Sequence, residues 1–228
     1  MSVSIIIKTL NEEKRIASTI EHALAGLPGG LGEVIVADSG STDRTAEIVS
    51  HYPVTMVQII DPAKPSCGLG GQLGFQYARY DLICLLDGDM DLDPSFLPDA
   101  INYLQNHTDV AGVTGHVQEM NLSNLEFSRR VTRNAPENRV GEIDRMNGGG
   151  LYRRAAIESI GYLTDRNLHG YEEFDLGIRL RQPVLAPRQR QRLVAGLQEA
   201  VRAAPDPHPL DIAVLAAHIR HRRRGHRA

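Results

Sequence analysis

The chain has 228 residues, of which 42% are hydrophobic and 23% charged, and its formal net charge is −3. This length suits one α/β domain with a sizeable core, with or without an appendage, and the composition is ordinary for a soluble globular protein. The slightly negative charge gives no reason to expect nucleic acid as the main partner.

Cysteine usage and hydropathy indicate a cytoplasmic protein. Cys67 and Cys84 form neither a disulfide framework nor a zinc-ligand pattern, which favours reduced thiols. No apolar run approaches the ~20 residues that span a bilayer. The N-terminus begins with a strand pattern and shows no signal peptide.

Strand and helix patterns alternate in the first half of the chain, as is typical of a parallel sheet with crossover helices. Compact apolar runs predict strands, and apolar residues at helical spacing predict helices. In chain order we expect strands at 3–7, 34–37, 54–60, 82–86 and 110–117, with helices at 11–27, 41–50, 72–80 and 95–106. Polar helix and loops are expected at 121–146. They are followed by a glycine-rich turn into a helix within 147–163, and by a helix with acids at its start within 169–181.

The composition changes at residue 182. Residues 182–228 contain nine arginines against three acids, and are rich in alanine and proline. Amphipathic helices are predicted at 188–203 and 210–223, and the final 218–228 is predicted to be a mobile basic tail, because like-charge runs are usually solvated. Such a tail can contact an anionic membrane surface.

The segment LLDGDMDLDP places two carboxylates where a buried strand ends. Asp87 and Asp89, separated by Gly88, follow the apolar run at 82–86. In an open α/β sheet, ligands bind at the carboxyl ends of strands, and carboxylate oxygens suit a hard divalent cation. An acidic turn is the alternative, since Asp and Gly are common turn residues. Asp91 and Asp93 are predicted to be helix-start acids.

Polar residues also follow the first two strands. Thr9, Asn11 and Glu12 come after the first strand, and Asp38 and Ser39 after the second. All would open onto the edge of the sheet that carries Asp87, where a nucleotide fits. The alternatives are local: Asn11 or Thr9 as a helix cap, and a tight turn in DSGSTD.

Together with HGYEEFDLGIRLR, these segments resemble the family 2 glycosyltransferases, an inverting GT-A family that uses nucleotide-sugar donors. The resemblance covers about residues 2–181 and implies a Rossmann-like α/β fold, with a mostly parallel central sheet flanked by helices. It implies a GT-A domain at 1–181, divided into a nucleotide-sugar-binding half (1–120) and an acceptor and catalytic half (121–181). Residues 182–228 are then an atypical segment, expected to be helical or partly disordered.

The resemblance also implies roles on the donor side. Asp38 would contact the nucleoside, although Ser39 stands where a second Asp is common. Asp87 and Asp89 match the DxD signature, with Asp89 as the direct ligand of Mg²⁺ or Mn²⁺ and Asp87 nearer the ribose or sugar. Gly68 would allow close approach of backbone to the donor, for which a UDP-sugar is expected, with GDP-mannose as an alternative. Gln72 would lie at the donor too, where similar proteins often carry a basic residue.

On the acceptor side, the family supplies a general base from an acidic pair that precedes a DLxxR helix. Glu173 aligns with the base and Glu172 is the fallback. The alternative is an acidic first turn favoured by the helix dipole. A loop beneath the donor sugar or acceptor would include Asn147, Gly148 and Gly149, and His169 would contact acceptor or phosphate unless it is only a surface residue.

The resulting hypothesis is a metal-assisted glycosyltransferase that acts with inversion on a saccharide or lipid-linked saccharide. A nucleotide-sugar-binding protein with impaired catalysis is the alternative suggested by the unusual C-terminal segment. A nucleotidyltransferase would be expected to carry a glycine-rich loop after the first strand, which KTLNEEKR lacks. The sequence is compatible with a homodimer.

Overall fold

The computed structural model describes residues 1–59, 66–119, 141–143, 149–181, 192–195 and 218–221; for 118–119, 192–195 and 218–221 only the backbone is described. Its strands are β1 Val3–Thr9, β2 Gly32–Asp38, β3 Thr55–Gln58, β4 Leu82–Asp87, β5 Met90–Asp91, β6 Val110–Thr114, β7 His116–Glu119, β8 Gly141–Glu142, β9 Gly150–Arg153, β10 Arg192–Ala195 and β11 His218–His221. Its α-helices are α1 Ile16–Gly26, α2 Thr45–Val49, α3 Cys67–Tyr77, α4 Phe96–Asn106, α5 Arg154–Ser159 and α6 Glu172–Arg181, and a 3₁₀ turn spans Pro28–Gly30.

An eight-stranded sheet has the order β3-β2-β1-β4-β9-β6-β10-β8. The neighbours β3, β2, β1 and β4 are parallel, and all seven residues of β1 are buried. Burial on both faces explains why these strands are continuous apolar runs in the sequence. In register, Thr9 lies beside Asp38 and Lys8 beside Asp87, so the polar ends of the strands meet at one edge.

The second half of the sheet breaks the parallel pattern. Strand β9 lies antiparallel between β4 and β6, at a position where the sequence predicted only a glycine-rich turn. A separate three-stranded sheet has the order β5-β11-β7. The expected strand at 110–117 is two strands, β6 and β7, which join different sheets.

Two apolar layers cover the faces of the main sheet. Alternation along β1 sends Ile5 and Ile7 to the layer that contains residues of α1 and α4. Ile6 faces the other layer, which contains Tyr152 of β9 and Leu176 of α6. Lys8 follows Ile6 by two residues and therefore faces the same side as α6.

Three predicted helices have different boundaries. Helix α1 begins at Ile16 instead of residue 11, and neither Thr9 nor Asn11 caps it, since no side chain caps this helix. Helix α2 spans only Thr45–Val49 of the predicted 41–50, and it likewise lacks a side-chain cap. Helix α3 begins at Cys67, five residues before the predicted start, because Ser66 Oγ accepts a hydrogen bond from Leu69 N at 3.0 Å.

The described parts of the C-terminal segment differ from the predicted helices. Strand β10 lies within 188–203 and strand β11 within 210–223, and both are extended. The rest of 182–228 lies outside the described residues, and the domain boundary at 181 stays a prediction. Among the helices that the structure describes, every one is too short or too polar to cross a bilayer.

Candidate active site

A buried lysine at the end of β1 lies among three carboxylates. Lys8 Nζ is 2.9 Å from Asp87 Oδ1 and 2.5 Å from Glu173 Oε1, and it donates a short hydrogen bond to Glu172 Oε1. We call these four residues the Lys8 cluster. Ligand oxygens of its three acids all lie within 4.8 Å of one another. The structure thus joins an acid of the predicted donor half to both acids of the predicted catalytic half.

Two elements deliver the acids to this point. Asp87 ends β4 beside Lys8 on β1, because the strands are parallel and in register. Glu172 and Glu173 begin α6, and both are buried although charged. Tyr171 precedes them with a φ of 63°, in the left-handed region that bulky residues rarely adopt. A strained residue directly before buried acids is typical of a functional site.

Burial and charge act in opposite directions on the Lys8 cluster. Burial alone would lower the pKa of Lys8, but Asp87, Glu173 and Glu172 outweigh it and raise that pKa well above its usual value. Burial raises the pKa of Glu173, the Lys8 ammonium opposes this, and the charges of Asp87 and Glu172 add to the rise. Lys8 therefore stays protonated, while Glu173 is a stronger base than an ordinary carboxylate.

The turn after β4 is held tightly against β1. Thr19 Oγ1 donates to the Gly88 carbonyl at 3.0 Å, and a Cβ on Gly88 would lie 2.9 Å from Thr9 Oγ1. Asp89 is half-buried and is not a member of the Lys8 cluster. Asp87 and Asp89 thus lie at one sheet edge but in different surroundings. Their carboxylate oxygens suit Mg²⁺ or Mn²⁺, and the metal assignment stays a prediction.

Asp93 and Asp91 have separate structural tasks. Asp93 Oδ1 accepts from Ser95 N at 2.9 Å at the start of α4, which confirms its prediction as a helix-start acid. Asp91 lies in β5, not at a helix start, so its prediction is wrong. Its carboxylate accepts from Ser18 Oγ at 2.9 Å and from Arg15 Nη2 at 3.1 Å.

Asp38 is buried where β2 ends. Its carboxylate accepts from Gln58 Nε2 at 2.7 Å and from Ser41 N at 3.0 Å, so it closes the predicted turn. Ser39 N donates to the Thr9 carbonyl at 2.9 Å, which ties the ends of β1 and β2. The turn is therefore present, and a nucleoside contact by Asp38 or Ser39 stays a prediction.

Asn11 and Glu12 join the loops after β1 and β2. Asn11 Oδ1 accepts from Thr42 N at 2.8 Å, and Glu12 N donates to Thr45 Oγ1 at 2.8 Å. Asn11 has a φ of 56°, which asparagine tolerates better than most residues. These contacts give both residues a structural task at the predicted nucleotide edge.

The glycine-rich helix α3 packs against the loop 163–169. Gly68 N donates to the Leu168 carbonyl at 3.0 Å, and a Cβ on Gly68 would lie 1.8 Å from the Asp165 carbonyl oxygen. Gln72 Oε1 accepts from Leu163 N at 2.9 Å. In the described structure, residue 68 must be a glycine because the loop 163–169 leaves no room for a Cβ. The donor roles of Gly68 and Gln72 stay predictions.

The remaining predicted acceptor residues are only partly described. The Gly149 carbonyl accepts from Thr114 Oγ1 at 2.7 Å, next to β9. His169 is exposed, and its carbonyl accepts a weak hydrogen bond from Cys67 Sγ at 3.3 Å. Asn147 and Gly148 lie outside the described residues. Contacts of these four residues with an acceptor stay predictions.

Two buried hydroxyls near the cluster lack hydrogen-bond partners within the described structure. They are Thr9 Oγ1, next to Gly88, and the hydroxyl of Tyr152 on β9. Burial raises the pKa of Tyr152 well above its usual value, and the negative charge of Glu173 adds to the rise, which places the phenol in the electrostatic reach of the cluster. Buried hydroxyls without partners are uncommon and mark where a water or a ligand can bind.

Sequence reasoning missed Lys8 and Tyr152. Lys8 was missed because a lysine after an apolar run is also typical of a strand end that faces solvent. Tyr152 was missed because it lies in β9, a strand that was not predicted. The available signal for Lys8 was the alternation along β1, which places its side chain on the same face as Ile6.

A model of the family described as Glycosyl transferase family 2 matches residues 4–161. The dolichol-phosphate mannosyltransferase of Pyrococcus furiosus is 31% identical over 140 residues, covering 58% of this chain and 38% of the relative. The undecaprenyl-phosphate 4-deoxy-4-formamido-L-arabinose transferase of Pectobacterium carotovorum subsp. carotovorum is 31% identical over 117 residues, covering 49% of this chain and 36% of the relative. The chain therefore spans less than two fifths of the length of these relatives.

Solved structures share the fold. S. aureus TarS in complex with UDP-GlcNAc superimposes with a TM-score of 0.70 at 18% identity, covering 100% of this chain and 60% of that one. Glucosyl-3-phosphoglycerate synthase from Mycobacterium tuberculosis, in complex with Mn²⁺, UDP and glucosyl-3-phosphoglycerate, gives 0.54 at 22% identity, covering 78% and 67%. The expected GT-A fold is thus confirmed. Since the family model matches well over half of its residues, this chain belongs to glycosyl transferase family 2.

Proposed function

We propose that this chain is an inverting, metal-assisted glycosyltransferase, which transfers a sugar from a UDP-sugar to a hydroxyl group of a saccharide or lipid-linked saccharide. The observation that carries the proposal is the meeting of Asp87 with Glu172 and Glu173 around Lys8. The family match ends at residue 161, so the proposed role of the two glutamates is supported by their contacts with Lys8 and not by the match.

Glu173 is the proposed general base. Its Oε1 lies against Lys8, which leaves the other carboxylate oxygen to take the proton of the acceptor hydroxyl. As that proton moves, the acceptor oxygen attacks the anomeric carbon from the face opposite the leaving group. The bond from that carbon to the diphosphate oxygen breaks, and its electron pair departs with the nucleoside diphosphate. The raised pKa of Glu173 supports this role, because general bases work best when their pKa approaches the working pH.

The donor is proposed to bind across the carboxyl ends of β1, β2 and β4. Asp89 would be the direct ligand of Mg²⁺ or Mn²⁺, with Asp87 nearer the ribose or sugar, and the ion would neutralise the charge that grows on the leaving nucleoside diphosphate. Thr9 Oγ1 is buried without a partner at this edge and is suited to donate to a donor oxygen. A UDP-sugar is proposed because the similar TarS and glucosyl-3-phosphoglycerate synthase structures contain UDP-GlcNAc or UDP.

The proposed acceptor is a saccharide or a lipid-linked saccharide. Two of the relatives are named as dolichol-phosphate and undecaprenyl-phosphate transferases. A lipid-linked acceptor would bring the protein to a membrane surface, and the arginine-rich C-terminal segment would favour an anionic one.

The test is a panel of nucleotide sugars, first by thermal shift with and without Mn²⁺ and then by product analysis. A donor held at about a hundred times its Kd should raise the Tm by roughly 5–10 °C. With saccharide and lipid-linked saccharide acceptors, NMR should show a product whose anomeric configuration is opposite to that of the donor. Retained configuration would contradict the inverting mechanism, and binding with neither transfer nor hydrolysis would favour a nucleotide-sugar-binding protein instead.

A further inference from the structure

The Lys8 cluster has the composition of a metal site, yet an ammonium group already lies at its centre. Three carboxylates within 4.8 Å of one another supply the hard oxygen ligands that Mg²⁺ and Mn²⁺ prefer. Lys8 Nζ contacts all three acids, and its side chain is 3% exposed. We propose that Lys8 is a positioning residue that keeps a divalent cation out of this cluster, and so reserves Glu172 and Glu173 for the acceptor. Only the use of the two glutamates by an acceptor rests on the proposed function; the exclusion of the cation does not.

The hydrogen-bond count of Lys8 supports exclusion. A lysine ammonium has three N–H donors, and three carboxylates accept from or lie against Nζ, so its donor capacity is used entirely by the cluster. A divalent ion bound to the same oxygens would lie within a few ångströms of the ammonium, where repulsion between the two cations in a buried site is severe. Lys8 and a metal therefore cannot share these ligands.

The charge of the cluster explains why exclusion is needed. One ammonium and three carboxylates carry a formal net charge of −2, which attracts divalent cations into the site. A metal bound to both glutamates would take the carboxylate oxygens that a base needs, whereas a metal at the turn after β4 would not. Lys8 therefore divides the sheet edge into two regions. The cluster is closed to metal, and the proposed metal ligand Asp89 lies outside it.

The contacts of Lys8 also position the acids. Lys8 is separated from Glu172 by 164 residues and from Glu173 by 165, so its bonds fix the start of α6 against the ends of β1 and β4. Burying the Lys8 ammonium costs free energy, and this cost is offset only because the ammonium is paired with carboxylates. Lys14, which is exposed on the loop after β1, offers a matched control.

The test counts bound Mn²⁺ by EPR, without donor or acceptor, in wild type, Lys8→Met and Lys14→Met. Lys8→Met should bind one more Mn²⁺ per chain than wild type, and Lys14→Met should bind the same number as wild type. The additional Mn²⁺ should persist when Asp89→Ala is added. Equal counts in wild type and Lys8→Met would overturn the proposal, as would loss of the additional ion in the Asp89→Ala background.

A second variant tests whether the Lys8 side chain itself, and not the net charge of the cluster, keeps Mn²⁺ out. Lys8→Met with Glu172→Gln keeps the formal net charge at −2, since one cation and one anion are both removed. It should still bind one additional Mn²⁺ through Asp87 and Glu173, and it lowers the risk that Lys8→Met alone does not fold. Binding at the wild-type level in this folded variant would overturn the proposal. Since no sugar is transferred in these measurements, failure of the proposed function leaves their outcome unaffected.

Discussion

Lys8 Nζ and Glu173 Oε1 lie 2.5 Å apart although 165 residues separate the two in the sequence. This contact joins the edge of the parallel sheet to the first turn of α6, and it depends on the register that places Lys8 beside Asp87. The proposed general base is thereby held at a fixed distance from the end of β4 that carries Asp87. Holding a catalytic group in the reactive geometry lowers the barrier to reaction.

Glu173→Gln is expected to reduce kcat by a factor of about 10² to 10⁴, because the amide cannot take the acceptor proton. Donor binding should change little, since the glutamates are proposed to serve the acceptor. Initial rates with the identified donor and isothermal calorimetry with UDP separate the two effects. The comparison variant is Glu172→Gln: if it loses more activity than Glu173→Gln, then Glu172 is the base.

Asp89→Ala is expected to abolish the dependence of donor binding on Mn²⁺, because Asp89 is the proposed direct ligand. Calorimetric titration of the donor with and without Mn²⁺ measures this dependence. Asp81→Ala is the control, because Asp81 is exposed just before β4, at the opposite end of that strand. Metal-dependent binding that survives in Asp89→Ala would contradict the ligand assignment.

The sequence was most informative where a motif coincides with the end of an apolar strand. Asp87 was predicted in this way, whereas Glu173 was predicted from the resemblance of HGYEEFDLGIRLR to the family, and the structure brings both to the same lysine. Strand β9 was missed because it has four residues and leads directly into α5, so the helical pattern dominated. Its antiparallel place between β4 and β6 depends on contacts that are distant in sequence.

Helix α3 shows a different limit of prediction. Its glycines suggested a loop near a ligand, since glycine is unfavourable in the interior of a helix. Instead they allow the helix to approach the sheet, because a Cβ on Gly74 would lie 2.4 Å from Ile6 Cγ2. Close packing against β1 therefore overrides the helix propensity, and only the tertiary structure reveals it.

Tyr152→Phe is expected to leave the Tm unchanged or slightly raised, because the buried hydroxyl has no hydrogen-bond partner in the described structure. Removing a buried polar group without a partner relieves its desolvation cost. Differential scanning calorimetry measures the change, with Tyr52→Phe as the comparison, since the Tyr52 hydroxyl donates to Glu21 at 2.8 Å. A fall in Tm larger for Tyr152→Phe than for Tyr52→Phe would indicate that the Tyr152 hydroxyl is hydrogen-bonded in solution.

Gly68→Ala is expected to destabilise the protein by about 1–3 kcal/mol, as overpacked sites commonly do. The added Cβ would lie 1.8 Å from the Asp165 carbonyl oxygen, so the backbone of the loop 163–169 must move. Gly170→Ala is a matched control, because a Cβ there meets nothing within 4 Å. Urea unfolding should separate the two variants, and equal stabilities would mean that the loop yields without cost.

Glu33→Gln is expected to lower the free energy of unfolding at pH 7 by about 1.5–3 kcal/mol, the range for hydrogen bonds to a charged group. Glu33 is buried at the end of the sheet opposite the site, and it accepts from Ser4 Oγ at 2.7 Å and from Arg79 N at 2.7 Å. Burial alone would raise the pKa of Glu33, but the hydrogen bonds from Ser4 and Arg79 outweigh it and lower that pKa.

A lowered folded-state pKa fixes the sign of the pH dependence. The folded protein binds the Glu33 proton less readily than the unfolded chain, so the carboxylate stabilises the fold fully above the unfolded pKa of about 4.3. This stabilisation is lost as the pH falls from there through the folded pKa. The difference between wild type and Glu33→Gln should therefore be constant above about pH 5 and shrink below about pH 4.3. Urea unfolding across this range measures it, with Asp81→Asn as a control, since Asp81 is exposed. A difference that stays constant to low pH would mean that Glu33 stabilises the sheet by packing and not by its charge.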